Sequence, residues 1–323
     1  FNGKKFKKEN RLNWIKKIAP GIKSLLSPIK KRMAKGEKSL WTNCTCGKLT
    51  LRDEFEKNLF ECLSCSKTHL ISCKQRFDIF FDDSEYNIIE YGIPPEDPIN
   101  FSDPKGKYVD RLKESRKKVG QQEAMLFATG WLNAMPVTVG SMDFSFFGAS
   151  VSPTVGECFL SGVQHSINKK QPLILFVSSG GMRMHTGILS LMQMTRMTLA
   201  CSELKKNKIP FIVVAGGPCL GGTTASMASL ADIIISESKD FLWGFSGKRI
   251  IEQNLREKLA DEVQTSRWVI EHGGLDKIVP RKELRSEIYN ILSILLKVKE
   301  KEINNKEDVS SIDQPLQKTS KAV

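Results

Sequence analysis

The stretch from Gln171 to Gly187 places a short buried strand directly before two glycines and a helix. Leu173 to Val177 is a compact apolar run, partly β-branched, which predicts a fully buried strand. Ser178-Ser179-Gly180-Gly181 interrupts the run. Apolar residues from Ile188 to Leu199 then follow helical spacing and predict an amphipathic helix. A strand that ends in glycines before a helix can direct backbone N–H groups at a bound negative charge.

The same order of elements occurs again further along the chain. Pro210 to Ala215 predicts a second buried strand, which we expect Gly216-Gly217-Pro218 to end. Leu220-Gly221-Gly222 then opens a helix of small residues, predicted over Thr223 to Ala231. The chain therefore favours an α/β fold in which two glycine turns lie at the ends of two strands.

The two turns together are candidates for an oxyanion hole, which is a pair of N–H groups that holds a developing oxyanion. The candidate catalytic donors are Gly180 or Gly181 from the first turn and Gly221 or Gly222 from the second. The alternative is that each double glycine only marks a turn. Two turns in the same context favour the functional interpretation.

Four cysteines near the N-terminus have the spacing of a zinc ribbon. They are Cys44, Cys46, Cys62 and Cys65. The second pair has the two intervening residues usual for a zinc knuckle, whereas the first pair has one. A module this small has too few apolar residues to fold alone, which favours a bound zinc. The alternative is a ribbon that has lost its metal, and Cys73 and His69 are spare candidate ligands.

The charge of the chain is concentrated at one end. Of the net charge of +13, +11 lies in residues 1–40. This basic arm could bind nucleic acid, an anionic membrane or an acidic partner, or it could be a solvated arm. No apolar run is long enough for a membrane span, and eight cysteines without a secretory signal indicate a reducing compartment.

Four segments carry a resemblance to a known family. They are SSGGMRM, SLMQM, PCLGGTTASMASLAD and GFSGKRIIEQ, and they follow the cysteine ribbon in this order. Together they resemble the carboxyltransferase β subunit of bacterial and plastid acetyl-CoA carboxylase, which belongs to the crotonase-like superfamily. The resemblance extends from about Trp14 to about Leu296.

The resemblance implies a crotonase-like spiral of repeated β-β-α units behind a small four-cysteine zinc ribbon. The expected regions are a basic arm at 1–40, the zinc ribbon at 41–75, a carboxyltransferase domain at 76–298 and a disordered charged tail at 299–323. It also implies a cytoplasmic location, or the plastid stroma for an organellar protein. From the residues alone, we expect the apolar side of a terminal helix from Leu284 to Val298 to cover a partner.

The activity that the resemblance implies is transfer of CO₂ from carboxybiotin on a carrier protein to acetyl-CoA. The product is malonyl-CoA, formed in the first committed step of fatty acid synthesis. The implied partners are a carboxyltransferase α subunit in an α₂β₂ complex, the biotin carboxyl carrier protein and the ATP-dependent biotin carboxylase. Zinc would be structural, and biotin would arrive on the carrier.

Several positions near the first turn bear on this activity. Met182 replaces the alanine typical of the family, His185 a glutamine and Thr186 a glutamate, so neither His185 nor Thr186 is expected to be an indispensable acid or base. Arg183 is a candidate substrate-binding residue, with a structural ion pair as the alternative. Gly247 is a second candidate, because the family's matching loop flanks the reaction centre.

Two other functions remain open from the sequence. A stand-alone crotonase-type enzyme acting on an acyl-CoA needs a glutamate or similar base beside the second Gly-Gly. Thr223, Thr224 and Ser226 occupy that space instead. A nucleic-acid-binding protein could use the ribbon and the basic arm, although the ribbon has no cluster of basic and aromatic residues on one strand.

Overall fold

The computed structural model describes residues 40–297 of the chain. The tail predicted at 299–323 and the predicted basic arm up to residue 39 lie outside the described residues. The described chain forms two compact units, which divide between His69 and Leu70. The sequence analysis put this boundary near residue 75.

In its described part, residues 40–69, the first unit contains two short strands and one helix. Strand β1 (Trp41–Asn43) pairs antiparallel with β2 (Leu49–Leu51), and helix α1 (Arg52–Lys57) follows. The ring of Phe55 packs edge-on against Phe60 at 5.8 Å and against His69 at 5.0 Å between centroids. This apolar core is very small, which is typical of modules that need a metal for stability.

The second unit is built on one eight-stranded sheet with the strand order β12-β10-β9-β8-β7-β6-β3, with β11 pairing beside β9. Its strands, with the separate hairpin β4-β5, are β3 Tyr86–Ile88, β4 Ser102–Asp103, β5 Gly106–Lys107, β6 Met125–Leu132, β7 Met135–Met142, β8 Leu173–Ser179, β9 Phe211–Leu220, β10 Ile233–Ser236, β11 Trp243–Gly244 and β12 Lys277–Ile278. Its helices are α2 Cys73–Phe80, α3 Tyr108–Val119, α4 Pro153–Lys169, α5 Ile188–Lys206, α6 Gly222–Ser226, α7 Lys248–Leu255, α8 Ser266–Glu271 and α9 Leu284–Leu295.

The sheet is mixed. Strands β7 to β10 and β12 run parallel, whereas β6 and β3 pair antiparallel at one edge. Strands β6 and β7 with helix α4 form one β-β-α unit. Helices alternate with strands, which confirms the α/β prediction.

The two sides of the sheet bury separate apolar clusters. Along β8, Leu173, Leu175 and Val177 point to one side, while Ile174 and Phe176 point to the other. This alternation follows from the two-residue period of a strand. Helices α4 and α5 cover the first side, and α2 and α9 cover the second. The central strands are therefore buried on both faces, as their continuous apolar runs predicted.

The terminal helix differs from the prediction. Leu284, Ile288 and Leu292 of α9 are buried against the second side of the sheet. The expectation that this apolar face covers a partner is therefore wrong. Helical spacing identifies an apolar face, but it cannot distinguish a face packed on the same chain from one left for a partner.

The second predicted strand and helix also differ. Strand β9 does not end at Gly216 but continues through the glycines to Leu220, while helix α6 covers only Gly222–Ser226. At Gly217 a β-carbon would lie 2.2 Å from Ser178 Oγ, so the glycine permits close packing of β9 on β8. Helix α5 begins at Ile188 and a 3₁₀ turn, Met184–Thr186, separates it from the first glycine pair.

Candidate active site

The two glycine turns meet in the structure. Gly181 (φ 115°) and Gly221 (φ 68°) both have backbone angles that favour glycine. A β-carbon on Gly221 would lie 3.2 Å from Gly181 Cα and 3.8 Å from the carbonyl oxygen of Gly180. The ends of β8 and β9 therefore bring together the two segments that the sequence analysis paired.

Most of the candidate donors are already used within the chain. The N–H of Gly180 donates to the carbonyl of Gly148 at 2.9 Å, and that of Gly221 donates to Gly244 at 3.1 Å. The N–H of Gly181 donates to Ser179 Oγ at 3.1 Å. Gly222 is the first residue of α6, where an N–H has no partner within the helix, and it has no acceptor in residues 40–297. Of the four glycines, Gly222 alone thus has a free N–H in this part of the chain.

The first turn contributes a free N–H from a residue that the sequence analysis did not choose. Val151 donates its N–H to the Gly181 carbonyl at 2.9 Å, and Arg183 donates its N–H to the Val151 carbonyl at 2.8 Å. In this bridge, the N–H of Met182 points away from Val151, and it finds no acceptor within the described residues. After Gly181, apolar and polar residues alternate from Met182 to His185, a pattern typical of an extended segment. In the sequence, this alternation is the signal that points to the Met182 donor.

Three hydroxyl side chains hold the ends of the two strands in place. Ser179 Oγ donates to the Ala149 carbonyl at 2.8 Å and lies 2.9 Å from Thr223 Oγ1. Thr224 Oγ1 donates to the carbonyl of Gly244 at 3.1 Å. All three side chains are buried. They position the ends of β8 and β9, and sequence reasoning assigned the threonines no such role.

Arg183 follows the first turn, and its guanidinium is hydrogen-bonded to protein groups. It donates to the two Glu123 oxygens at 2.7 and 2.9 Å, to Tyr108 Oη at 3.1 Å and to the carbonyl of Ser150 at 2.7 Å. Burial alone would lower the pKa of Arg183, but the Glu123 carboxylate raises it above its usual value. The structure thus favours the ion-pair interpretation of Arg183 over a phosphate clamp.

His185 occupies an aromatic enclosure next to Arg183. Its ring stacks on Tyr108 at 4.8 Å and meets Phe101 and Phe147 edge-on at 5.0 and 5.3 Å between centroids. Burial lowers the pKa of His185, and the nearby guanidinium groups of Arg111 and Arg183 lower it further. The lowered pKa favours the neutral form of His185, and its contacts are those of a packed side chain.

Gly247 lies beside the second turn. It precedes α7 as its N-cap residue, and a β-carbon there would lie 3.9 Å from Leu220 Cδ1. In the same loop, the carbonyl oxygen of Phe245 is 3.8 Å from the β-carbon position of Gly221. The loop that carries Gly247 thus borders the meeting point of the turns.

The four cysteines of the first unit converge on one point, since their Sγ atoms all lie within 4.8 Å of one another. Cys44 Sγ is 3.7 Å from Cys65 Sγ, and Cys46 Sγ is 3.8 Å from Cys62 Sγ. Four sulfurs around a tetrahedral zinc, each at about 2.3 Å, would be about 3.8 Å apart. The thiols therefore fit a zinc ion.

The single-residue spacing of the first pair does not prevent this convergence. Cys44 donates its N–H to the Lys48 carbonyl at 3.0 Å, and Gly47, with a φ of 85°, closes the turn between them. His69 Nε2 lies 3.3 Å from Cys44 Sγ, outside the set of four thiols. Cys73 belongs to the second unit, where its buried thiol donates to the carbonyl of Ser141 at 3.0 Å.

Comparisons with known proteins identify the family. Residues 105–322 match the model of the carboxyl transferase domain. The chain is 43% identical over 304 residues to the acetyl-coenzyme A carboxylase carboxyl transferase subunit beta of Pelagibacter ubique (strain HTCC1062), a match that covers 94% of this chain and 97% of the relative. The chain belongs to this β-subunit family.

Two solved structures extend the comparison to the architecture. Transcarboxylase 12S, solved with methylmalonyl-coenzyme A and methylmalonic acid bound, aligns with a TM-score of 0.56 at 22% identity over 69% of this chain, and this chain spans 41% of that longer one. A Pseudomonas malonate decarboxylase heterodimer aligns with a TM-score of 0.53 at 16% identity over 69% of this chain and 86% of that chain. These likenesses concern the fold, and with the cysteine cluster they confirm the predicted crotonase-like unit and zinc-ribbon arrangement.

Within the β-subunit family, this chain has a site made mainly of backbone groups. Within residues 40–297 the N–H groups of Met182 and Gly222 have no acceptor and are available to an anionic oxygen, and buried hydroxyl groups fix the turns that carry them. His185 and Thr186 are both buried, and Thr186 Oγ1 is hydrogen-bonded to Ser190. Such a site can stabilise charge on a thioester oxygen without a side-chain base.

Proposed function

We propose that this carboxyl transferase β subunit binds acetyl-CoA and, with an α subunit, carboxylates it to malonyl-CoA. The observation that carries the proposal is a pair of N–H groups, those of Met182 and Gly222, that have no acceptor in the described part of the chain and lie on two turns that touch at Gly181 and Gly221. An oxyanion hole needs two such donors at one oxygen. Gly180, Gly181 and Gly221 serve this site by shaping the turns.

In the proposed mechanism, the acetyl thioester oxygen lies between the N–H groups of Met182 and Gly222. As a proton leaves the acetyl methyl group, negative charge moves to that oxygen, where the two donors stabilise it. The enolate carbon then attacks CO₂ to form the malonyl group. Carboxybiotin on the carrier protein would supply the CO₂, and the biotin ureido group left behind would take up the methyl proton. Loss of one such donor typically costs about 3 kcal/mol, or roughly a hundredfold in rate.

Two residues near the turns, Gly247 and Arg183, were candidates for substrate contacts beyond the thioester. Gly247 borders the second turn, with its β-carbon position 3.9 Å from Leu220 Cδ1, and we propose it as a substrate-binding residue. Arg183 is not a substrate contact in this proposal, because its donors contact Glu123, Tyr108 and Ser150. Its proposed role is to hold the first turn in place through these hydrogen bonds.

A partner subunit is proposed on the exposed apolar side of α5. Ile188 is 69% exposed, Met192 55% and Leu199 62%, and the exposed Met184 precedes them. Large apolar side chains in a row on one helix are typical of an interaction surface. The helix begins next to the first turn, so a partner bound there would border the site. We propose the carboxyltransferase α subunit, in an α₂β₂ complex, as that partner.

The wider assembly follows from the chemistry. Biotin would be supplied on the carboxyl carrier protein, and an ATP-dependent biotin carboxylase would load it with CO₂. We propose the cytoplasm, or the plastid stroma, as the compartment. No helix within residues 40–297 is both long and apolar enough to cross a membrane. Structural zinc at the four thiols completes the proposal, because the sulfur spacing matches tetrahedral coordination.

The experiment that tests this function is reconstitution with an α subunit. The two chains are co-expressed, and malonyl-CoA-dependent carboxylation of biocytin is measured for the complex and for each chain alone. Activity only in the complex is the expected result. A folded complex without activity would overturn the proposal. Hydration of crotonyl-CoA is measured in parallel, because a stand-alone crotonase-type enzyme would give that activity in the isolated chain.

A further inference from the structure

His69 lies against one of the four thiols of the first unit. Its Nε2 is 3.3 Å from Cys44 Sγ, within hydrogen-bond distance for sulfur, and Cys44 is buried. The backbone of His69 donates its N–H to the Phe60 carbonyl at 3.1 Å, and its ring meets Phe55 edge-on at 5.0 Å between centroids. The imidazole is therefore held beside the sulfur by contacts with its own backbone and ring.

The four thiols lie on two loops that close in the same way but differ in length. The first loop is 44–47 and the second is 62–66, and in each the N–H of the last residue donates to the carbonyl of the first at 2.9 Å. The first loop has two residues between these ends, whereas the second has three. The first loop therefore has one N–H group fewer within it.

In the second loop, the corresponding N–H group is used by sulfur. The N–H groups of Cys65 and Ser64 both donate to Cys62 Sγ. Cys65 is the third residue after Cys62, and the third residue after Cys44 is Gly47, whose N–H donates to the Cys44 carbonyl instead. Hydrogen bonds to an ionised acceptor such as a thiolate are stronger than those between neutral groups. The shorter loop thus costs Cys44 a donor of the kind that Cys65 gives to Cys62.

We propose that the Nε2–H of His69 donates to the Cys44 thiolate of the zinc site and replaces the backbone donor that the shorter loop lacks. The inference rests on the structural zinc of the proposed function and adds a residue that positions one of its ligands. A zinc-bound cysteine carries no S–H proton, so the ring nitrogen is the donor and the sulfur the acceptor. Loss of such a hydrogen bond to a ligand typically costs about 10- to 100-fold in metal affinity.

The test measures the zinc affinity of the full-length chain by competition with a chelator. His69→Phe keeps an aromatic ring beside Phe55 but has no donor. His69→Gln loses the ring, but its amide nitrogen is as many bonds from the backbone as Nε2 and can donate. We expect His69→Phe to lower the zinc affinity by about 10- to 100-fold and His69→Gln to restore most of that loss.

Cobalt(II) bound in place of zinc gives a readout that packing alone does not change. A hydrogen bond lowers the energy of the sulfur lone pair, so its loss moves the sulfur-to-cobalt charge-transfer absorption to longer wavelength. We expect this shift in His69→Phe and its reversal in His69→Gln.

A matched control removes another contact between the same two loops. The exposed Lys67 donates from Nζ to Thr45 Oγ1 at 2.9 Å. Lys67→Ala should leave the zinc affinity within about threefold of wild type and the cobalt absorption unchanged. If the ribbon of His69→Phe does not fold, His69→Met decides the question, because methionine matches glutamine in length and has no donor. Weaker zinc binding by His69→Met than by His69→Gln supports the proposal, and equal binding overturns it.

The outcomes separate this inference from the proposed function. Wild-type zinc affinity in folded His69→Phe overturns the role of His69, and so does an equal loss in His69→Phe and His69→Gln, which would assign the ring to packing. A wild-type cobalt spectrum typical of three sulfurs and one nitrogen also overturns it, because His69 would then be a ligand. Folded wild-type protein that binds no zinc overturns the proposed zinc site and this inference with it, while the carboxylation of acetyl-CoA is decided by reconstitution with the α subunit.

Discussion

The carboxylate of Glu123 and the guanidinium of Arg183, which are 60 residues apart in sequence, form a two-pronged ion pair with contacts of 2.7 and 2.9 Å. Both side chains are almost completely buried. Glu123 also accepts a hydrogen bond from Ser152 Oγ at 3.0 Å. The pair connects the start of β6 and the cap of α4 with the first glycine turn. The backbone after Gly181 is therefore anchored by a buried ion pair between Arg183 and Glu123.

The first prediction concerns this pair. Replacing Glu123 with Ala leaves the Arg183 charge buried without its partner, which typically costs about 3–5 kcal/mol. We expect the free energy of unfolding of the Glu123→Ala variant to fall by that amount in denaturant titrations. The control is Glu157→Ala, because Glu157 pairs with Arg196 at 2.7 Å near the surface. That change should cost about 1 kcal/mol or less. Equal costs for both variants would contradict the prediction.

The second prediction is a pH dependence that arises at Glu237. Burial would raise the pKa of this carboxyl group, but the charges of Arg76 and Arg281 outweigh burial and lower it to about 2. In the unfolded chain, a glutamate has a pKa of about 4.3. A group with a lower pKa in the folded state stabilises the fold above the unfolded pKa. That contribution is lost as the pH falls from about 5 towards about 2.

The measurement for Glu237 is the free energy of unfolding as a function of pH. We expect Glu237→Gln to be less stable than wild type at pH 7, and its stability to fall less steeply between about pH 5 and 2. The control is Glu287→Gln, since Glu287 pairs with the exposed Lys277. This variant should follow the wild-type curve within about 1 kcal/mol. A Glu237→Gln curve parallel to wild type through this window would show that the prediction is wrong.

The third prediction concerns the first glycine turn. In Gly181→Val the side chain would meet the backbone of the second turn, since the β-carbon position is 3.5 Å from the Leu220 carbonyl and 4.0 Å from the Gly222 nitrogen. The φ of 115° also disfavours valine. Turnover of the complex should fall by at least about a hundredfold, with a much smaller loss of CoA binding.

A glycine outside the site provides the control for the third prediction. Gly92 has no atom within 4 Å of its β-carbon position and no positive φ. Gly92→Val should therefore keep nearly full turnover. Turnover and CoA binding are measured on the folded complex by steady-state kinetics and calorimetry. If Gly181→Val retained turnover, the glycine turns would not be needed for catalysis and the prediction would be wrong.

The fourth prediction is that His185 is not the base. His185 lies between Tyr108 and Phe101, and its buried Nδ1 has no hydrogen-bond partner among residues 40–297. His185→Gln should keep turnover within about tenfold of wild type, because backbone N–H groups carry the stabilisation of charge. Steady-state kinetics of the assembled complex check this. Loss of activity in His185→Gln together with an active Gly181→Val would establish a histidine-based mechanism instead.

The fifth prediction concerns the metal. Purified protein should contain about one zinc per chain, since four thiols make one tetrahedral site. Cys62→Ala should release the zinc and unfold the ribbon while the α/β unit keeps its thermal transition. Metal analysis and circular dichroism provide the two measurements. Cys201→Ala, which changes a buried thiol of the second unit, should retain the zinc. Folded wild-type protein without zinc would contradict the metal site.

Local patterns in the sequence were sufficient for much of the architecture. The apolar run at 173–177 lies in β8, the run at 210–215 lies in β9 from Phe211 onward, and the spacing after Ile188 corresponds to α5. The cysteine pairs come together as their spacing predicted. These features depend on neighbours along the chain, because side-chain period and turn-forming residues determine them. The motifs around the glycines likewise indicated the β-subunit family.

The tertiary structure alone decided which groups are free to act. Whether an N–H is available depends on distant acceptors: Gly148 and Gly244 bind the N–H groups of Gly180 and Gly221, whereas Met182 and Gly222 have none among the described residues. The role of Arg183 was decided by Glu123, a residue with no local signal. The apolar side of α9 was likewise assigned to the core by the sheet that it covers. The physical reason is that hydrogen bonds and burial are formed between segments far apart in sequence, so local spacing cannot determine which partners a group will have.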